Sequence, residues 1–102
     1  MEATSLRFAE IARTLGETAR ARGLRTPTFR SPPRVAGASR TVRRTAGGAV
    51  IVAVELRDRP FVAVVADMVE GVVVANGLGG VDATRVRTAL WEAVSQLRDL
   101  AA

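Results

Sequence analysis

Residues 49–78 read AVIVAVELRDRPFVAVVADMVEGVVVANGL, short Val- and Ala-rich runs separated by polar interruptions. β-Branched runs of this kind, bounded by turn-forming residues, have the pattern of strands. The alternation predicts a strand over 49–56, a turn at Arg57-Asp58-Arg59-Pro60 and a strand over 61–69. A turn at Glu70-Gly71 and a short strand over 72–75 follow. Upstream, a more polar strand is expected over 40–46, joined to the next by a two-residue Gly47-Gly48 hairpin that accepts positive φ at both positions. Setting Ala46 against Ala49 places Arg40 opposite Glu55, an opposite-charge cross-strand pair, so Glu55 is expected to be a structural partner.

Two segments change to helical spacing. Over 4–22, Phe8, Ile11, Ala12, Leu15 and Ala19 recur on one face, with Thr4 or Ser5 as the N-cap and Gly23 as the C-terminal glycine. Over 83–100, Val86, Ala89, Leu90, Ala93, Val94, Leu97 and Leu100 form a stripe, with Asp82 as the N-cap. Between the first helix and the sheet, residues 24–39 carry Pro27, Pro32, Pro33 and Gly37 and are expected to be a connector without regular structure. The predicted fold is therefore α+β, a single domain over 1–102. An N-terminal helix, a three- to four-stranded antiparallel meander and a C-terminal helix form a two-layer sandwich.

In that register both faces of the meander are apolar. One holds Val50, Val52, Val54, Leu56, Phe61, Ala63, Val65, Val72 and Val74; the other holds Ile51, Ala53, Val62, Val64, Ala66, Met68, Val73 and Ala75. Two helices at the ends of a meander commonly cover one face, and an exposed apolar sheet face is rare on a monomer. A homodimer is the expected resolution.

Charge sharpens the functional side. The chain has 102 residues and a net charge of +5, and all fifteen of its basic residues are Arg. Residues 1–48 hold ten Arg and three Glu (10 − 3 = +7), whereas 49–102 hold five Arg and seven acids (5 − 7 = −2). From Arg20 to Arg44 there are eight Arg and no acid. A basic, proline-punctuated arm of this kind suits phosphate backbones, because Arg forks pair bidentately with phosphate oxygens. Arg25, Arg30, Arg34, Arg40, Arg43 and Arg44 are the expected phosphate contacts. The flank Arg87, Trp91 and Arg98 on the last helix is a second candidate, for stacking bases or anchoring a partner protein.

Other chemistry is poorly supplied. The chain has no Cys, His, Tyr or Lys, which removes thiolates, the commonest general base and metal ligand, and the Schiff-base lysine. No catalytic residues, cofactor or metal are expected. Asp67, Glu70 and Asn76 near a turn lack the spacing of a cation cage. Gly77-Leu78-Gly79-Gly80 reads as a tight strand-to-helix link, with Asp82 in the position a bound phosphate would need. No leader or membrane-spanning run is apparent, so a cytoplasmic protein is expected.

The expected helix–meander–helix order resembles that of double-stranded-RNA-binding domains. Where those domains carry a run of Lys, this chain reads Asp82-Ala83-Thr84-Arg85-Val86-Arg87. The order and the stretch Gly47-Gly48-Ala49-Val50-Ile51-Val52-Ala53-Val54 are also similar to small dimeric nucleoid-associated proteins. The sequence reading is a non-enzymatic, dimeric nucleic-acid-binding (DNA-binding) protein. Its alternative is an interaction adaptor or chaperone-like module using an apolar sheet face and Trp91.

Overall fold

The computed structural model describes residues 2–32 and 37–101, with side chains for 7–32 and 37–97. Its elements run α1 (Glu2–Ala21), β1 (Thr28–Arg30), β2 (Arg40–Arg44), β3 (Val50–Val54), α2 (Phe61–Ala75) and α3 (Gly80–Ala101). The α+β class stands, but the meander does not. The sheet has three strands in the order β1-β3-β2, with β1 parallel and β2 antiparallel to the central β3.

The largest correction concerns 61–75. Instead of two strands and a turn, these residues form one fifteen-residue helix. Its buried positions, Val64, Val65, Met68, Val69, Val72 and Val73, recur at helical intervals. The polar Asp67 and Glu70 stand three apart, and Glu70-Gly71 lies in mid-helix. Val is a modest helix former, yet burial outweighs propensity here. α2 packs against β2 and β3 on one side and against α1 and α3 on the other. A helix packed on two sides needs a broad apolar surface, although Val62 and Val74 remain exposed. The two-layer sandwich becomes a sheet, a central helix and an α1–α3 pair.

Gly71 explains how closely α2 approaches the sheet. A Cβ placed there would lie 2.5 Å from Val52 Cγ1 and 3.0 Å from Cγ2. Pro60 precedes the helix with φ −67°, suited to its start, and Gly77 ends it at φ +62°. Bonds from Gly77 N–H to the Val74 carbonyl and from Leu78 N–H to the Val73 carbonyl complete that end. The glycine link 77–80 therefore joins two helices and not a strand to a helix. α1 closes as expected, with Gly23 at φ +72° and matching bonds from Gly23 and Leu24 to Arg20 and Ala19. Because α1 begins at Glu2, Thr4 and Ser5 lie inside it rather than at its cap; their side chains, like that of Leu100, lie outside the described residues. α3 begins at Gly80, placing Asp82 in its first turn rather than at the cap.

Two further expectations shift. Thr28–Arg30, inside the expected structureless connector, is a strand bracketed by Pro27 and Pro32, which mark its ends. The β2–β3 register differs by one residue: Arg40 faces Val54 and Arg44 faces Val50. The loop explains the slip. Thr45 N–H bonds the Ala49 carbonyl and Gly48 N–H the Thr45 carbonyl, with positive φ at Gly48 but not at Gly47. This three-residue loop replaces the two-residue turn.

A one-residue slip exchanges the faces. Phe29, Val52 and Val42 form one row facing α2, with Val50 and Val54 on the same side. The apolar sheet face is thus covered by α2, and the set expected to form a second apolar face belongs largely to that helix. The expectation of a dimer rested on that second face, and this ground is gone. With the meander, the likenesses of element order also lapse. No helix among the described residues is long and apolar enough to cross a membrane.

Candidate nucleic-acid interface

The side of the sheet turned away from α2 is set by register. Thr28, Ile51 and Arg43 form one row across the three strands, and Arg30, Ala53 and Thr41 form the next. These six outward positions hold two Arg, two Thr, one Ile and one Ala, without a carboxylate. Thr28, Arg30 and Arg43 are exposed, whereas Ile51, between Thr28 and Arg43, keeps only 8% of its surface accessible. Arg30 and Arg43 stand on the two edge strands in adjacent rows, roughly 12 Å apart on the diagonal at ordinary strand spacing and rise.

At the hairpin end, Arg44 is exposed in line with Val50, and Arg25 reaches the Gly48 carbonyl through Nη1 at 3.2 Å. The backbone of Arg25 is held firmly. Its N–H donates to Asn76 Oδ1 at 2.6 Å, and its carbonyl accepts from Asn76 Nδ2 at 3.0 Å. Asn76 Nδ2 also reaches the Val72 carbonyl, so this single amide ties the chain ahead of β1 to the end of α2.

The expected Arg set therefore divides. Among the described residues, Arg30, Arg43 and Arg44 have no carboxylate partner, and Arg25 bonds only a carbonyl. Arg40 is taken: it lies on the α2 side of the sheet, with Nη1 3.3 Å from Asp67 Oδ1. Arg34 lies outside the described residues. Asp67 is a shared acid, because Arg59 Nη1 sits 2.7 Å from its Oδ2. Oδ2 is buried, and its approach to Arg59 is a charge contact without an aligned hydrogen bond. Arg59 also donates to the carbonyls of Glu55 and Ala63. Glu55 is consequently not the partner of Arg40; its own N–H donates to the Ser39 carbonyl.

The α3 flank is similarly committed. Arg87 forks onto Glu70, with Nε–Oε2 at 2.5 Å and Nη2–Oε1 at 3.0 Å. Trp91 is half-buried and packs on the core, and the side chain of Arg98 is outside the described residues. With Thr84, Arg87, Thr88, Glu92 and Ser95, Trp91 lines a shallow depression on α3. Asp67, Glu70 and Asn76 are each engaged by Arg or backbone, and no group of three metal-ligating side chains occurs among the described residues.

The Arg87 fork, aided by the charges of Arg87 and Arg40, holds the Glu70 carboxyl below its ordinary value of 4.5 against the opposing effect of burial. A depressed carboxylate contributes stability above its unfolded value, and this is lost as pH falls through the folded one. Below pH 4.5 the wild-type chain should therefore lose stability faster than Glu70→Gln. Melting temperatures of both across that range test it. Parallel curves would show that the Arg87–Glu70 pair is energetically silent.

The chain matches no family model, no curated protein and no solved structure. The functional reading therefore rests on geometry.

The pairing of Asp67 with Arg40 and Arg59 could not be read from the sequence. Asp67 sits 27 residues from Arg40, and only the α2 geometry joins them. The Asp67/Glu70 spacing of three was the available signal, because it fits a helix and not a strand.

Proposed function

We propose that this is a non-enzymatic nucleic-acid-binding protein whose carboxylate-free outer sheet face contacts the phosphate backbone. One observation carries the reading. The acids of α2 are engaged on the inner side, where Asp67 pairs with Arg40 and Arg59 and Glu70 with Arg87, and Glu55, which follows β3, stands at the end of the sheet away from the hairpin. Arg30 and Arg43 face outward, while Arg44, on the other side of the edge strand β2 in line with Val50, is exposed at the hairpin, where Arg25 also reaches. The phosphate-binding set thus becomes Arg25, Arg30, Arg43 and Arg44. Arg40 leaves it because a partner already holds its guanidinium. Guanidinium forks without a carboxylate nearby retain their bidentate geometry for phosphate oxygens. The Thr28 and Thr41 hydroxyls supply further donors in the same rows. This reading needs no second copy of the chain.

Four phosphate contacts imply a salt slope of roughly −3.6, so affinity should fall about a hundredfold between about 50 and about 200 mM salt. Fluorescence anisotropy on labelled nucleic acid, with the Arg25/Arg30/Arg43/Arg44→Ala variant as comparison, measures this. Absence of binding at low ionic strength to any duplex or single strand would sink the proposal.

A further inference from the structure

Resting on that reading, we infer that the ligand is a duplex, held by its backbone without regard to base sequence. The chain has four aromatic residues, Phe8, Phe29, Phe61 and Trp91, and all four pack against the core. Phe29 is the one aromatic in the sheet, and its row faces α2, opposite to Arg30 and Thr28. Single-strand binders stack unpaired bases on exposed aromatic rings. This sheet offers no such ring, so splayed bases would find only Thr, Ala and Ile beside the guanidinium groups.

Of the base-edge readers, amides and acids are unsupplied, which leaves only Arg, a reader of guanine that serves phosphates equally well. The chain has one Asn and one Gln. Asn76 spends its amide on Arg25 and Val72, and Gln96 is on α3, which α2 separates from the sheet. The bidentate adenine contact of an amide is thus absent from this face. Cytosine readers are absent as well, because no acid stands among the six outward positions.

What remains is positive charge on a rigid, regular surface. A duplex keeps its bases stacked inside and presents about one negative charge per 1.7 Å of axis, so it requires neither stacking nor base contacts from its partner. Arg30 and Arg43, on opposite edge strands with the low stripe of Ile51 and Ala53 between them, are placed to grip two separate phosphates. Arg25 and Arg44 extend the charge to the hairpin end.

The test compares AT-rich and GC-rich duplexes with their separated strands by anisotropy over a salt series. The duplexes should bind about tenfold tighter than either strand and within about threefold of each other, as expected for a charge-density interaction. Arg30→Ala/Arg43→Ala should lower the magnitude of the duplex salt slope by about 1.8, roughly 0.9 for each phosphate that is no longer neutralised. Arg13→Ala/Arg85→Ala, two exposed sites off the sheet, should change it little, and circular dichroism melts verify that each variant is folded. Equal or tighter binding to single strands, or a tenfold preference between duplexes, would overturn this inference while leaving nucleic-acid binding intact. Absence of binding to every probe would overturn the broader reading with it.

Discussion

Replacing Gly71 with Ala should destabilise the fold by about 1–3 kcal/mol, the range typical of overpacking in a close-packed core. On an exposed helix the same change would stabilise by roughly 0.5–1 kcal/mol, because Ala loses less backbone freedom on folding. The sign here is reversed by contact. The added methyl would sit 2.5 Å from Val52 Cγ1, and Val52 is fully buried on the central strand. A β-branched side chain is stiff about χ1 and cannot swing aside cheaply. The helix and the sheet must therefore separate, loosening neighbours around Val52 and Met68.

Chemical denaturation of Gly71→Ala, Val52→Ala and the double variant measures this. Val52→Ala alone removes core volume and should itself be destabilising. The double variant should cost less than the sum of the two, with a coupling of about 0.5–3 kcal/mol, because each change makes room for the other. A Gly71→Ala protein as stable as wild type would show that α2 does not rest on the sheet as described.

The second large effect is expected at Asp67. Asp67→Ala should cost about 1.5–3 kcal/mol, the magnitude of hydrogen bonds to charged groups in partly dry surroundings. Its side chain is 14% exposed and faces two cations, Arg40 from β2 and Arg59 from the loop before α2. Removing the carboxylate leaves two like charges converging on one half-buried spot. The acid joins three separate parts of the chain, so its loss should weaken the edge strand, the loop and the helix together. Asp67→Asn, which keeps the shape and one acceptor, should fall between wild type and Ala. Thermal melts within about 0.5 kcal/mol of wild type, the usual range of surface changes, would identify the cluster as an ordinary exposed ion pair.

Both sites bear on function. The Asp67 cluster withdraws Arg40 from the basic set, and Gly71 sets the depth at which the sheet is seated. Their geometry determines which Arg side chains face outward. Had the register been the one expected from a two-residue turn, Arg40 and Arg44 would have lain outward and Arg43 inward. The three-residue loop at Ala46-Gly47-Gly48 reverses that assignment, so a small local choice selects the candidate interface.

The sequence alone determined the two terminal helices, the polar strand β2, the apolar strand β3 and the charge polarity of the chain. Each of these is written in local pattern: helical spacing, a glycine in the left-handed region after α1, a β-branched run and the balance of ionic residues. The identity of 61–75 was not local. Val-rich runs satisfy a strand and a helix packed on two sides equally well by composition, and what distinguishes them is what the segment packs against. Only tertiary packing supplies the sheet on one side and α1 with α3 on the other, and burial on both then outweighs the β preference of Val. The parallel partner β1, the pairing of Asp67 with two distant Arg residues, and the exposure of Arg30 and Arg43 on one face follow from the same packing. No spacing along the chain encodes them.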